Sequence, residues 1–200
     1  MSAARYPRRM HRLPPPLRVA LEWLGTIAVV GAFVLAFEAE VAKPYRIPSA
    51  SMEPTLHCAR PARGCEARFS DRVIVNRLAY RFRDPHRGDI VVFHAPEAAD
   101  RVCQGGGTFV KRIVGLPGEL VSERNGYVFV DGRALREPYV DARERDHGTA
   151  TWPRLGRDRY FLMGDNRVDS CDSRVWGAVS RHALIGPVVL TYWPPTRIFR

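Results

Sequence analysis

Lysine is nearly absent from this chain. Of its 31 basic residues, only Lys43 and Lys111 are lysine, and the other 29 are arginine. The first 18 residues contain no acid. Cysteine is scarce, with four residues and no C-x-x-C spacing. That excludes a disulfide scaffold, a zinc ribbon and a thioredoxin-type redox site. There is no G-x-S-x-G elbow and no H-E-x-x-H, which excludes the common serine-hydrolase and zincin sites. S-x-x-K is missing too, because Thr108 and Glu40 stand three residues before the two lysines. No glutamate occupies the twelfth position after Asp165, Asp169 or Asp172, so no EF-hand loop is present. The six histidines share no spacing. Neither a metal nor a cofactor is therefore expected.

The net charge is +10 over 200 residues. No RNA-binding sheet signature, zinc-finger spacing or basic zipper accompanies it. The charge thus supports a membrane-surface role at least as well as a nucleic-acid one, and no nucleic-acid partner is expected. Residues 1–18 carry Arg5, Arg8, Arg9, Arg12 and Arg18. Pro14 to Pro16 argue against a helix there. Trp23 to Phe37 then runs without a charge, and from Val19 only Glu22 interrupts the apolar run. Nineteen residues at ~1.5 Å rise span roughly 28 Å, close to the hydrocarbon core. The preceding arginines place the N-terminus in the cytoplasm. The expected organisation is a cytoplasmic arm (1–18), a transmembrane anchor (19–42) and an extracytoplasmic domain (43–200). A cleavable signal peptide with a cut near Ala36 is the competing reading, and a buried core helix a third.

Beyond residue 43 the chain reads as short strands at 71–76, 89–93, 108–114, 127–130, 160–163 and 186–192. Asn125-Gly126 and Asp131-Gly132 are two-residue hairpin signals. No alternation of strands and helices appears. The fold class is mainly β, an antiparallel or mixed sheet behind one N-terminal transmembrane helix. Residues 133–158 read as a loop or outlying β-ribbon, and about 121–160 as a small second subdomain.

Three segments could carry chemistry. In the first, Pro48 and Pro54 stiffen a stretch that presents Ser49 and Ser51; an ordinary turn is the bland alternative. The second is Lys111, set between Val110 and Arg112 in an apolar run. A chain that writes arginine wherever charge suffices keeps lysine here, and only lysine can lose its proton. Burial lowers a lysine pKa by up to ~3–5 units and makes it a base; a lysine guarding an edge strand is the alternative. The third is the polar stretch from Met163 to Gly177. A pair between Asp172 and Arg174 within that loop would be worth little at the surface.

The apolar run, PSASMEPTL (48–56), DRVIVNRLAYRFRDPHRGDIVVF (71–93), FVKRIVGLPGE (109–119) and GDNRVDSCDSRVWG (164–177) follow one another in a definite order. In this the sequence resembles the type I signal peptidases, membrane-bound bacterial endopeptidases with a Ser/Lys dyad. The resemblance implies Ser51 as nucleophile and Lys111 as general base. Ser49 and the amide of Ser51 would form the oxyanion hole, and Ser170 would orient the lysine. Asp172 and Arg174 would be a supporting ion pair, with Met52 in the apolar floor. Val168-Asp169 and Arg77 depart from the usual family pattern. The implied activity is removal of signal peptides after small residues, Ala-x-Ala, by a monomer in the cytoplasmic membrane. Its partners would be preprotein signal peptides and the lipid bilayer. A dedicated processing peptidase with the same dyad and a non-catalytic membrane-anchored binding module are the competing functions. His57 or His94 could serve instead in a Ser/His arrangement.

Trp193 suits either a membrane interface or a core. For the cysteines, Cys58–Cys65 and Cys103–Cys171 are the favoured pairs, with a buried free thiol at Cys171 as the alternative.

Overall fold

The computed structural model describes residues 14–103 and 107–198 and divides into two units, Met1–Ala39 and Glu40–Arg200. Helix α1 (Pro15–Glu40) lies in the first up to Ala39. Its Val19–Phe37 stretch has a mean hydropathy of 2.0 and is long enough to cross a bilayer. None of that stretch is buried against protein, so it does not read as a core helix. The prolines do not prevent the helix: it starts at Pro15, and the Leu17 amide donates to the Pro14 carbonyl at 3.0 Å. Proline lacks an N–H that the first helical turn does not use, so it is tolerated there.

Among its described residues the second unit contains eleven strands: β1 (Ala42–Arg46), β2 (Arg72–Asn76), β3 (Ile90–His94), β4 (Thr108–Gly115), β5 (Val121–Arg124), β6 (Tyr127–Val130), β7 (Arg133–Ala134), β8 (Ala150–Thr151), β9 (Arg159–Met163), β10 (Val179–Ser180) and β11 (Leu184–Trp193). Helices α2 (Ala79–Phe82), α3 (Glu97–Cys103) and α4 (Ser173–Trp176) are short. Seven strands form a sheet in the order β1-β2-β11-β3-β4-β9-β10, and four form a second sheet, β7-β6-β5-β8. Every pairing of named strands is antiparallel. The fold is thus mainly β and antiparallel.

Alternation sets the register. Along β2, Val73 and Val75 are fully buried while Arg72 faces solvent. In β4, Lys111 and Ile113 face one way, and Lys111 lies opposite Val91 of β3. The buried core on the Ser51 side contains Ile47, Met52, Leu56, Val73, Val75 and Val92. The hairpin signals act as expected. Asn125-Gly126 joins β5 to β6 and Asp131-Gly132 joins β6 to β7, each with both residues at positive φ. Primed turns demand that backbone and match the strand twist.

Segment 133–158 contributes β7 and β8 to the four-stranded sheet; the 3-10 turn Ala142–Glu144 lies between them, and the rest is irregular. Trp193 is 38% exposed and meets Phe69 edge-on. Cys58 is bonded to Cys65 and Cys103 to Cys171, so Cys171 is not a free thiol.

Candidate active site

Ser51 lies in a 3-10 turn (Ala50–Met52) whose three residues are all buried. The turn is closed by the Glu53 amide donating to the Ala50 carbonyl at 2.9 Å, and the Leu56 amide donates to Met52 at 2.8 Å. Met52 is 1% exposed and packs in the core beneath the turn. Ser49 precedes the turn in extended backbone, and its Oγ is 3.4 Å from Ser51 Oγ. Ser51 stays 8% exposed and opens onto a cleft of about 760 Å³. Tyr45, Phe109, Lys111 and Ser170 line the same cleft.

Lys111 is 4% exposed. Burial pushes its ammonium down to about 8, with Asp172 pulling upward and Arg174 pressing further down. A desolvated cation is disfavoured, so the neutral amine becomes accessible near physiological pH. Asp165 and Asp169 also pull it upward.

Ser170 donates its hydroxyl hydrogen to Asp172 Oδ2 at 2.7 Å. That leaves the serine oxygen as an acceptor. Asp172 is fully buried, which corrects the reading of a weak surface pair. Arg174 Nε donates to its Oδ1 at 2.8 Å and Nη2 to its Oδ2 at 2.9 Å. The Gly164 amide donates to Oδ2 as well, at 3.0 Å. Burial alone would raise the Asp172 carboxyl, but Arg174, Lys111 and the Gly164 amide hold it below the usual carboxylate range. Two-point guanidinium pairing also fixes orientation.

Several supporting residues were not singled out in the sequence. Arg112 grips Asp165 at 2.8 and 2.6 Å, and Thr55 donates its hydroxyl to the same carboxylate at 2.5 Å. The far side of Arg174 meets Asp146 at 2.5 Å. Beside Asp146 lies Glu123, whose carboxyl is pushed up by burial and by that neighbour, against Arg174 and Arg167. Arg167 pairs with Glu137, both buried. The partners are 53 residues apart for Arg112 and Asp165 and 28 for Arg174 and Asp146, so no short motif reveals them. His57 is bonded to Glu53 rather than to Ser51, and His94 pairs with Thr108 at the end of β3. Among the described residues no histidine lines the cleft. Nor do three His, Cys, Asp or Glu residues gather there as a metal site.

Gly164 is where the loops close on one another. A Cβ there would strike Ser170 Oγ and the Ser51 carbonyl, with Ser170 Cβ at 2.6 Å. Gly164→Ala must push Ser51 and Ser170 apart. Overpacking of this kind costs about 1–3 kcal/mol. Urea unfolding of Gly164→Ala should show a loss of that size; wild-type stability would contradict the packing.

A buried lysine and a buried serine line one cleft of this antiparallel β domain. Comparison with known proteins gives its family. Residues 20–193 match the model described as "Signal peptidase, peptidase S26". The chain is 37% identical to probable signal peptidase I-2 of Synechocystis sp., over 92% of this chain and 78% of that protein. It is 35% identical to signal peptidase I of Mycobacterium tuberculosis, over 87% and 72% respectively. A solved signal peptidase I from Enterococcus faecalis aligns with TM-score 0.45 and 30% identity, over 54% of this chain and 98% of that one. The chain belongs to the signal peptidase family, peptidase S26, and is a peptidase of signal-peptide removal from preproteins. With its apolar helix it fits a membrane-anchored enzyme.

Proposed function

We propose that this protein cleaves signal peptides with a Ser51/Lys111 dyad, and the burial of Lys111 beside the serine cleft carries that reading. Neutral Lys111 takes the Ser51 proton as the oxygen attacks the scissile carbonyl. The ammonium then gives its proton to the leaving amine. An acyl-enzyme remains, and Lys111 activates the water that hydrolyses it. Ser49 and the Ser51 amide stabilise the oxyanion, each worth about 3–4 kcal/mol. Ser170 accepts from the lysine and holds the amine toward Ser51, while Asp172 and Arg174 fix Ser170. Met52 supports the turn from below. The cleft, flanked by Tyr45, Phe109 and Val110, suits an extended chain with small side chains before the cut, Ala-x-Ala. No metal or cofactor enters these steps. Residues 1–18 lie in the cytoplasm, 19–42 anchor a monomer in the cytoplasmic membrane, and 43–200 work outside it.

Ser51→Ala and Lys111→Arg should each abolish preprotein cleavage in folded protein, since arginine cannot act as a base. Wild-type turnover in Lys111→Arg rules out the dyad. Activity needs the neutral amine, so the rate should rise with pH through about 8 and then level off. A limb near ~6.5 would indicate histidine instead.

A further inference from the structure

After β11, the 3-10 turn Pro195–Arg197 sends one side chain to the segment that carries Ser51. Arg197 Nε donates to Asp71 Oδ2 at 3.1 Å, and Nη2 donates to the Thr55 carbonyl at 2.8 Å. Asp71 is fully buried, and its Oδ1 has no hydrogen-bond partner among the described residues. Its Oδ2 also accepts from the His57 amide at 2.9 Å. Its own amide donates to the His57 carbonyl at 2.8 Å, and its carbonyl accepts from the Ile47 amide at 2.9 Å. Asp71 therefore grips the chain before Ser51 at Ile47 and after it at His57. A buried carboxylate is costly without a cation, and Arg197 is the cation bonded to this one.

Thr55, held through its carbonyl by Arg197, donates its hydroxyl to Asp165. Asp165 is held in turn by Arg112, the residue after Lys111. One line of bonds thus runs from Arg197 through the nucleophile segment to the backbone neighbour of the base, touching neither reacting atom.

We propose that Arg197 is a positioning residue for cleavage, its guanidinium fork tying the Ser51 segment to Asp71 and setting Ser51 against Lys111. This rests on the dyad reading. The fork makes two bonds in divergent directions, which a point donor such as lysine cannot reproduce.

The test is preprotein cleavage by full-length Arg197→Ala, with rates normalised to folded protein by circular dichroism. The expected result is kcat lowered at least about tenfold with KM within about twofold, because alignment rather than binding is lost. Millimolar guanidinium should restore part of kcat in Arg197→Ala and leave wild type unchanged. Arg197→Lys should fall between the two. Wild-type kcat in folded Arg197→Ala overturns the proposal. So does a loss that guanidinium does not relieve, since a merely structural defect behaves that way. If Arg197→Ala does not fold, Arg197→Lys decides: lowered kcat per folded enzyme supports the proposal, and wild-type kcat overturns it. Ser51→Ala separates the two readings. Cleavage surviving in Ser51→Ala defeats the dyad, whereas inactive Ser51→Ala beside fully active Arg197→Ala defeats only the clamp.

Discussion

Lys111→Met should abolish cleavage and also stabilise the fold, by up to about 3 kcal/mol at neutral pH. The folded protein lowers the Lys111 ammonium from 10.5 to about 8, and each unit corresponds to 1.36 kcal/mol. A cation with a lowered folded pKa binds its proton more tightly in the unfolded chain. Lys111 therefore destabilises the fold fully below about 8, and the penalty fades as pH rises to 10.5. Methionine fills a similar volume without a charge. Asp172 is not orphaned by the change, because Arg174 and the Gly164 amide still hold it. Urea unfolding at pH 7 and above pH 10.5 checks this: the gain should appear at the first and vanish at the second. A Met variant less stable at pH 7 would mean that the ammonium is well solvated. Stability given up at the proposed base would be a common cost of function.

The second large effect concerns the bridge from Cys103 to Cys171, which spans 68 residues of sequence. In the chain-entropy model a loop of this length stabilises by about 4 kcal/mol, against about 2 for a loop of seven. The Cys58–Cys65 bridge, with a separation of 7, is that shorter case. The double variant Cys103→Ser/Cys171→Ser should lose roughly twice the stability of Cys58→Ser/Cys65→Ser in urea titrations. Cleavage should suffer as well, because Cys171 stands between Ser170 and Asp172. Equal losses from the two bridges, or the reverse order, would refute the account.

The strands that sequence reveals are those with β-branched or aromatic alternation. Val73 and Val75 of β2 and the run along β4 announce themselves in this way. β1 does not, since Ala-Lys-Pro-Tyr-Arg has a proline and two cations. It forms a strand by pairing with β2 at the sheet edge, where proline is tolerated. β5 reads Val-Ser-Glu-Arg and is fixed by the neighbouring β6 and β8. Local pattern cannot show such tertiary support. At the site, Ser51, Lys111 and the 164–177 loop stand out by composition and motif. Asp165, Asp146 and Glu123 do not, because a carboxylate becomes informative only when the fold buries it beside a distant arginine. Asp172 shows the same limit: its partner Arg174 is visible two residues away, but its burial is not.

The scarcity of lysine has a practical side. Against the downward push of burial, the guanidinium groups of Arg112 and Arg174 near the site are held above their ordinary value by Asp165 and Asp172, so they keep their charge throughout the range in which Lys111 titrates. Isotopic labelling of lysine Nζ would place two resonances in a spectrum, one from exposed Lys43 on β1 and one from buried Lys111. The proton occupancy of the proposed base could then be followed directly in the resting enzyme, apart from any rate measurement.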